Sequence, residues 1–176
     1  MQGDTAPLTA ANSSRAAWLP PEVPGRCSNA FCHTFDANDQ EVLFATQGEH
    51  LGSGIQLIGS STRITSNDGA IALHGVSQAS GNIGRGVELA YGARVESTGT
   101  GPTAAPITLQ GSGAPGSSGV GVMLFDPATA VTSVDGDIRF LGMSPDWYAV
   151  TIVSATVHST GAGTIVLNGT GDEDDP

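Results

Sequence analysis

The sequence predicts an all-β fold: a right-handed parallel β-helix, or β-solenoid, of about four three-strand coils behind an irregular N-terminal segment. Three observations carry this. One stretch is written twice: Gly86-Val87-Glu88-Leu89 returns as Gly121-Val122-Met123-Leu124, Ala93 to Ser97 as Thr129 to Ser133, and Pro106 to Gly111 as Asp137 to Gly142. Within each phrase apolar and polar residues alternate, which is the period of a strand with one buried face. Between phrases stand Gly, Ser, Thr and Asp, the residues at which a chain turns a corner.

In chain order, residues 1–45 read as an irregular segment or cap, 46–170 as solenoid repeats and 171–176 as an acidic, disordered tail. The run to Arg26 is rich in Ala, Ser and Pro, with no apolar periodicity, and such a segment cannot bury enough apolar surface to offset the ordering of its backbone. Glu41 to Ala45 is a short apolar run of ambiguous type that would shield the first repeat, whose strand edges would otherwise lie open.

The first repeat carries Ile55 and Leu57, then Ile64, then Ile71 and Leu73; the second Val87 and Leu89, Val95, Ile107 and Leu109. The third carries Val122 and Leu124, Val131, Ile138 and Phe140; the fourth Val150 and Ile152, Val157, Ile165 and Leu167. First strands start 32, 35 and 28 residues apart, and the length changes fall in Gly/Ser/Pro/Ala segments such as Thr98 to Ala105, where loops absorb insertions. Hairpins would favour two-residue turns between neighbouring strands. Only Asp68-Gly69 and Asp135-Gly136 fit that pattern, both between second and third strands, so stacking each repeat on the last is the simpler solution. The alternation points Leu89, Leu124 and Leu167 inward and Glu88, Met123 and Val166 outward.

Composition narrows the function. The 176 residues carry a net charge of −11, with six Arg and no Lys. Nucleic acids and anionic membranes are bound through clustered basic residues, so neither is expected as a partner. No apolar run approaches the ~20 residues of a membrane span. The opening residues lack the charged start and apolar core of a secretion signal, so an exported protein would carry its signal outside this chain.

Cys27 and Cys32, with His33 following, are the locally suggestive chemistry. A disulfide between them, two free thiols, or a long-spaced variant of the haem-attachment motif are the competing readings; the haem reading lacks a helical scaffold and a second axial ligand. Zinc would want four ligands, and His50 and His74 show no ligand spacing. The expectation is a candidate disulfide at Cys27 and Cys32 and no cofactor. Asn12 and Asn168 open glycosylation sequons of a kind that arises by chance in a Gly- and Thr-rich chain.

Between Gly54 and Gly169 the Gly-x-Val-x-Leu, x-Val-x-Ser and Gly-x-Ile-x-Leu-x-Gly phrases resemble the strand repeats of bacterial filamentous-haemagglutinin-like and autotransporter-passenger proteins. Members of that group are secreted, rod-like surface proteins, many of them adhesins. The resemblance implies a non-catalytic scaffold or adhesin-like spacer, secreted or at the cell surface, with an unknown surface or carbohydrate receptor and no membrane insertion.

The competing expectation is a carbohydrate-active β-helix, a polysaccharide lyase or hydrolase, which needs convergent carboxylates on one face. Asp135, Asp137 and Arg139 are the candidates for such a site. Their bland reading makes Asp135 a turn residue, Asp137 a strand cap and Arg139 an outer-face residue. The neighbouring repeats place Asn67-Asp68, Ala105-Pro106 and Ala162-Gly163 there, so no acidic row builds up. An ice-binding face would want stacked Thr rows, and Gln56, Glu88, Met123 and Thr151 form none. Nothing apolar follows Leu167 to cover the fourth coil, and the Asp172 to Asp175 run would oppose edge pairing by charge repulsion. The open end predicts end-to-end self-association when acid or salt removes that repulsion.

Overall fold

The computed structural model describes residues 27–28, 31–32, 34–37, 42–49, 53–78, 84–115 and 119–171, with side chains in 53–77, 84–115 and 119–171. Four coils of three strands each follow one another along an axis. The first is β5 (Ile55–Ile58), β6 (Arg63–Ser66) and β7 (Ile71–Gln78); the second is β8 (Arg85–Ala90), β9 (Arg94–Ser97) and β10 (Ile107–Ser112). The third is β11 (Val120–Phe125), β12 (Ala130–Ser133) and β13 (Ile138–Ser144); the fourth is β14 (Val150–Val153), β15 (Thr156–Ser159) and β16 (Ile165–Gly171). Equivalent strands pair in parallel, giving the ladders β5-β8-β11-β14, β6-β9-β12-β15 and β7-β10-β13-β16. The chain is a right-handed parallel β-helix of about four coils.

Ahead of the first coil lie β1 (Cys27–Ser28), β2 (Phe31–Cys32), β3 (Thr34–Ala37) and β4 (Val42–Glu49). The apolar run at Glu41 to Ala45 falls largely in β4, which pairs in parallel with β7 and so covers that edge of the first coil. Strand β3 does the same for β6. The 1–26 leader and the Asp172 to Asp175 run lie outside the described residues.

Register follows the repeated phrases residue for residue. Ile71, Ile107, Ile138 and Ile165 stack in one column, and Leu73, Leu109, Phe140 and Leu167 in the next. The other two ladders stack Ile55, Val87, Val122 and Val150, and Ile64, Val95, Val131 and Val157. A one-residue slip would turn every one of these side chains outward, so the buried face itself holds the register. The fifteen inward apolar side chains of the first three coils, five in each, are at most 2% exposed. The fourth coil departs from this: Ile165 and Leu167 occupy the inward columns yet are 42% and 50% exposed, because no described strand lies beyond β16.

The glycines of the repeated phrases have a steric cause. Gly75, Gly111 and Gly142 occupy one column at the third corner, where the chain has risen to the next coil and crosses behind the strand. A methyl on Gly111 would meet the carbonyl carbon of Gly121 at 2.6 Å and the amide nitrogen of Val87 at 3.0 Å. A methyl on Gly75 would similarly meet the carbonyl carbon of Gly86 at 2.8 Å. The first corner has a different device. Gly59, Tyr91, Asp126 and Ser154 are equivalent positions, one residue beyond β5, β8, β11 and β14, and all take positive φ (95°, 55°, 92° and 60°). Only one of the four is glycine. Asp126 supports its conformation through its own carboxylate, whose Oδ1 accepts from the Ala128 amide at 2.9 Å.

The second corner is lined by an inward column of hydroxyls: Ser66, Ser97, Ser133 and Ser159. Ser66 donates to the Gly69 carbonyl and Ser159 to the Val134 carbonyl. The hydroxyls of Ser97 and Ser133 are buried with no protein partner among the described residues. This column accounts for the x-Val-x-Ser phrase: a small polar residue sits where the chain bends away from the apolar centre.

Candidate functional site

The second corner also holds the one carboxylate pair that the sequence offers for chemistry. Asp135 and Asp137 flank Gly136 between β12 and β13. The Asp135 carboxylate reaches both neighbouring coils, accepting from the Gly101 amide at 2.7 Å through Oδ2 and from the Ala162 amide at 2.8 Å through Oδ1. Asp137 Oδ1 accepts from both the amide and the hydroxyl of Thr164, each at 2.8 Å. Arg139 lies on the outer face of β13, exposed.

These bonds set the electrostatics. The Gly101 amide, then the Ala162 amide, hold the Asp135 carboxyl below its ordinary pKa. For Asp137 the Thr164 amide is the largest cause, with the Thr164 hydroxyl next and the charge of Arg139 a minor one, again lowering the pKa. A general acid needs a carboxyl that keeps its proton near neutral pH. Both groups are shifted the opposite way, and their acceptor atoms already hold neighbouring coils together. The arrangement that the geometry builds is an inter-coil staple.

Glu88 and its partners form a second cluster. It belongs to the outward row Gln56, Glu88, Met123, Thr151, as the alternation requires. Yet Glu88 is only 4% exposed, so its outward position does not leave it in solvent. Its Oε2 accepts from the Ser53 hydroxyl at 2.9 Å and the Gln56 side-chain amide at 2.7 Å, and its Oε1 pairs with the Arg85 guanidinium. A carboxylate removed from water needs such compensation. A third cluster sits on the β6-β9 face. The Glu96 carboxylate is paired with Arg63 of the coil before it and lies 3.6 Å from Arg94 of its own strand. Arg63 and Arg94 are register partners, so Glu96 separates two guanidinium groups that would otherwise repel.

Sequence reasoning passed over Glu88 and Glu96. The available signal was a polar partner one coil back, Gln56 for Glu88 and Arg63 for Glu96, 32 and 33 residues away. That signal is visible only after the coils are aligned.

The remaining candidates sort quickly. Cys27 and Cys32 are backbone register partners across the antiparallel pair β1-β2, but their side chains lie outside the described residues, as do His33 and His50. His74 lies in an outward row of β7, with Gln110 as its register partner. Among the described residues no group of three or more His, Cys, Asp or Glu side chains is placed to hold a metal ion. Asn168 is exposed on β16, and Asn12 lies outside the described residues. No helix among the described residues is long and apolar enough to cross a membrane.

The chain matches no protein-family model, no curated protein and no solved structure.

Proposed function

We propose that this chain is a non-catalytic β-solenoid segment of a secreted or surface-exposed bacterial protein, serving as a scaffold or adhesin-like spacer. The observation that carries this reading is the commitment of the Asp135 and Asp137 carboxylates. Both accept hydrogen bonds from adjacent coils, and both are held below their ordinary pKa by those bonds. Groups used this way stiffen a stack of coils and are poorly suited to donate protons to a glycosidic oxygen. The repeat phrases support export and a surface role by their likeness to filamentous-haemagglutinin-like strands.

Incubation with a panel of acidic polysaccharides, with and without calcium, tests the reading against a carbohydrate-active one. The expected result is no new reducing ends and no unsaturated products under either condition. Turnover that disappears in Asp137→Asn, with the fold intact by circular dichroism, would overturn it.

A further inference from the structure

We infer that the first corner of the coils, around Tyr91, binds a methylated ammonium group, the cation of choline and its relatives. Among the described residues Phe140 is the one aromatic side chain in the core, whereas Tyr91, Phe125, Trp147 and Tyr148 are exposed. Tyr91 is 60% exposed and Phe125 37%, and their rings meet edge to face, 6.1 Å between centroids and 77° between planes. They belong to the second and third coils, with a described coil on either side, so a ladder end does not account for their exposure. Nor does the backbone favour an aromatic residue there. Tyr91 holds φ at 55°, a region that bulky side chains avoid and that Gly59 fills in the coil before. The conformation is fixed by its surroundings: the Ala93 amide donates to the Ala90 carbonyl at 3.3 Å, and the Gly92 amide to the buried Thr129 hydroxyl at 3.0 Å. A strained residue that glycine would relieve, with its ring held in solvent, points to a use for that ring.

The neighbours of the ring select the ligand. Strand pairing continues into the corner, where the Gly59 amide donates to the Ala90 carbonyl at 3.0 Å and the Asp126 amide to the Val153 carbonyl at 3.1 Å. Gly59, Tyr91 and Asp126 therefore lie side by side at the ~4.8 Å spacing of adjacent strands. On one side of Tyr91 is open space, since a methyl group on Gly59 would meet no atom within 4 Å. On the other is the Asp126 carboxylate, whose Oδ1 accepts from the Ala128 amide and whose Oδ2 has no partner among the described residues. Aromatic rings present negative faces, and a carboxylate beside them adds formal charge of the same sign, so the corner attracts a cation and repels an anion. The net charge of −11 works in the same direction at longer range. A lysine-type ammonium is strongly hydrated and keeps its water at so open a corner. Methylation removes those N–H donors and surrounds the charge with apolar groups, which exposed rings can cover. The corner is a shallow notch, so the dissociation constant should be on the order of 1 mM.

Titration of the intact chain with choline chloride, at an ionic strength held constant with sodium chloride, tests this by nuclear magnetic resonance. The expected result is saturable shifts centred on the Tyr91 and Phe125 rings, and none with the neutral tert-butyl isostere of choline. Tyr91→Gly should weaken binding at least about fivefold, while Tyr91→Phe stays within about twofold of the parent. Asp126→Asn, whose side chain tolerates the same left-handed backbone, should weaken it about threefold. Circular dichroism establishes that the variants remain folded, and glycine fits this corner as it does at Gly59. Co-sedimentation with phosphatidylcholine vesicles sorts the source of the group. Retention that is lost in Tyr91→Gly identifies a lipid headgroup, and binding of choline alone a free solute; either supports the site. Equal response to the tert-butyl isostere, binding unchanged in Tyr91→Gly, or no saturable response to choline or vesicles would each overturn the inference.

Discussion

Placing a methyl group on Gly111 tests the stacking of coils at its tightest point. Alanine normally stabilises a strand relative to glycine, by about 0.5–1 kcal/mol, because it has less backbone freedom to lose. Gly111 lies within β10, outside the positive-φ positions, so no conformational penalty opposes alanine there. The obstacle is purely steric. The added carbon would lie 2.6 Å from the carbonyl carbon of Gly121 and 3.0 Å from the Val87 nitrogen, and both atoms belong to backbone held in ladders. Neither has a rotamer to move into, so β8 or β11 must shift away from β10. Overpacking a rigid interior costs about 1–3 kcal/mol, and a backbone obstacle belongs at the upper end. With a sensitivity of about 2–4 °C per kcal/mol for a chain of this size, Gly111→Ala should melt about 6–12 °C lower. Thermal unfolding followed by circular dichroism measures it, with Ser112→Ala on the outer face of the same strand as the control. A Gly111→Ala variant as stable as the parent, or more stable, would refute the crossing of coils at this column.

Three further outcomes follow from the same geometry. Leu124→Asp should cost several kcal/mol, because it buries a lone carboxylate at a fully enclosed position, whereas Met123→Asp on the outward row should change urea stability by less than about 1 kcal/mol; equal losses would contradict the inward assignment. Asp135 and Asp137 have folded pKa values below their unfolded ones, so the stability they contribute is present above the unfolded carboxylate pKa and is lost as pH falls through the folded value. Asp135→Asn/Asp137→Asn should therefore show a shallower loss of melting temperature from about pH 5 towards about pH 2 than the parent, and an unchanged acid limb would count against the staple. Ser154→Gly removes a side chain from a left-handed backbone position that costs about 1–2 kcal/mol, against about 0.5–1 kcal/mol of added chain entropy, so its melting temperature should hold or rise slightly; a fall of several degrees would mean the corner is not strained there.

The ladders were legible because repetition writes register directly. Once Gly86 to Leu89 is laid over Gly121 to Leu124, the partners of Val87 and Leu89 follow without any further rule. The stacked Gly75, Gly111 and Gly142 were visible as punctuation, but their cause was not, since it lies in a backbone crossing that sequence spacing does not express. The first corner was harder to read. Tyr91, Asp126 and Ser154 adopt a conformation usually signalled by glycine, and three different side chains carry no common pattern. Glu88 misled for another reason: alternation assigns a direction, whereas burial depends on Arg85, Gln56 and Ser53 closing over the carboxylate. At the candidate site, residue types suggested acid chemistry at Asp135 and Asp137. The amides that occupy them, from Gly101, Ala162 and Thr164, are 27 to 34 residues away in sequence and meet them only through stacking.

Parallel stacking of the coils in one register is tested most directly by inter-strand nuclear Overhauser contacts on isotope-labelled protein. On the outer face of the third ladder, Gln110 should show backbone contacts to His74 on one side and to Leu141 on the other, with Thr108 flanked by Ala72 and Arg139. Antiparallel contacts joining β10 to β9 or to β11, as consecutive hairpins would give, would contradict the account.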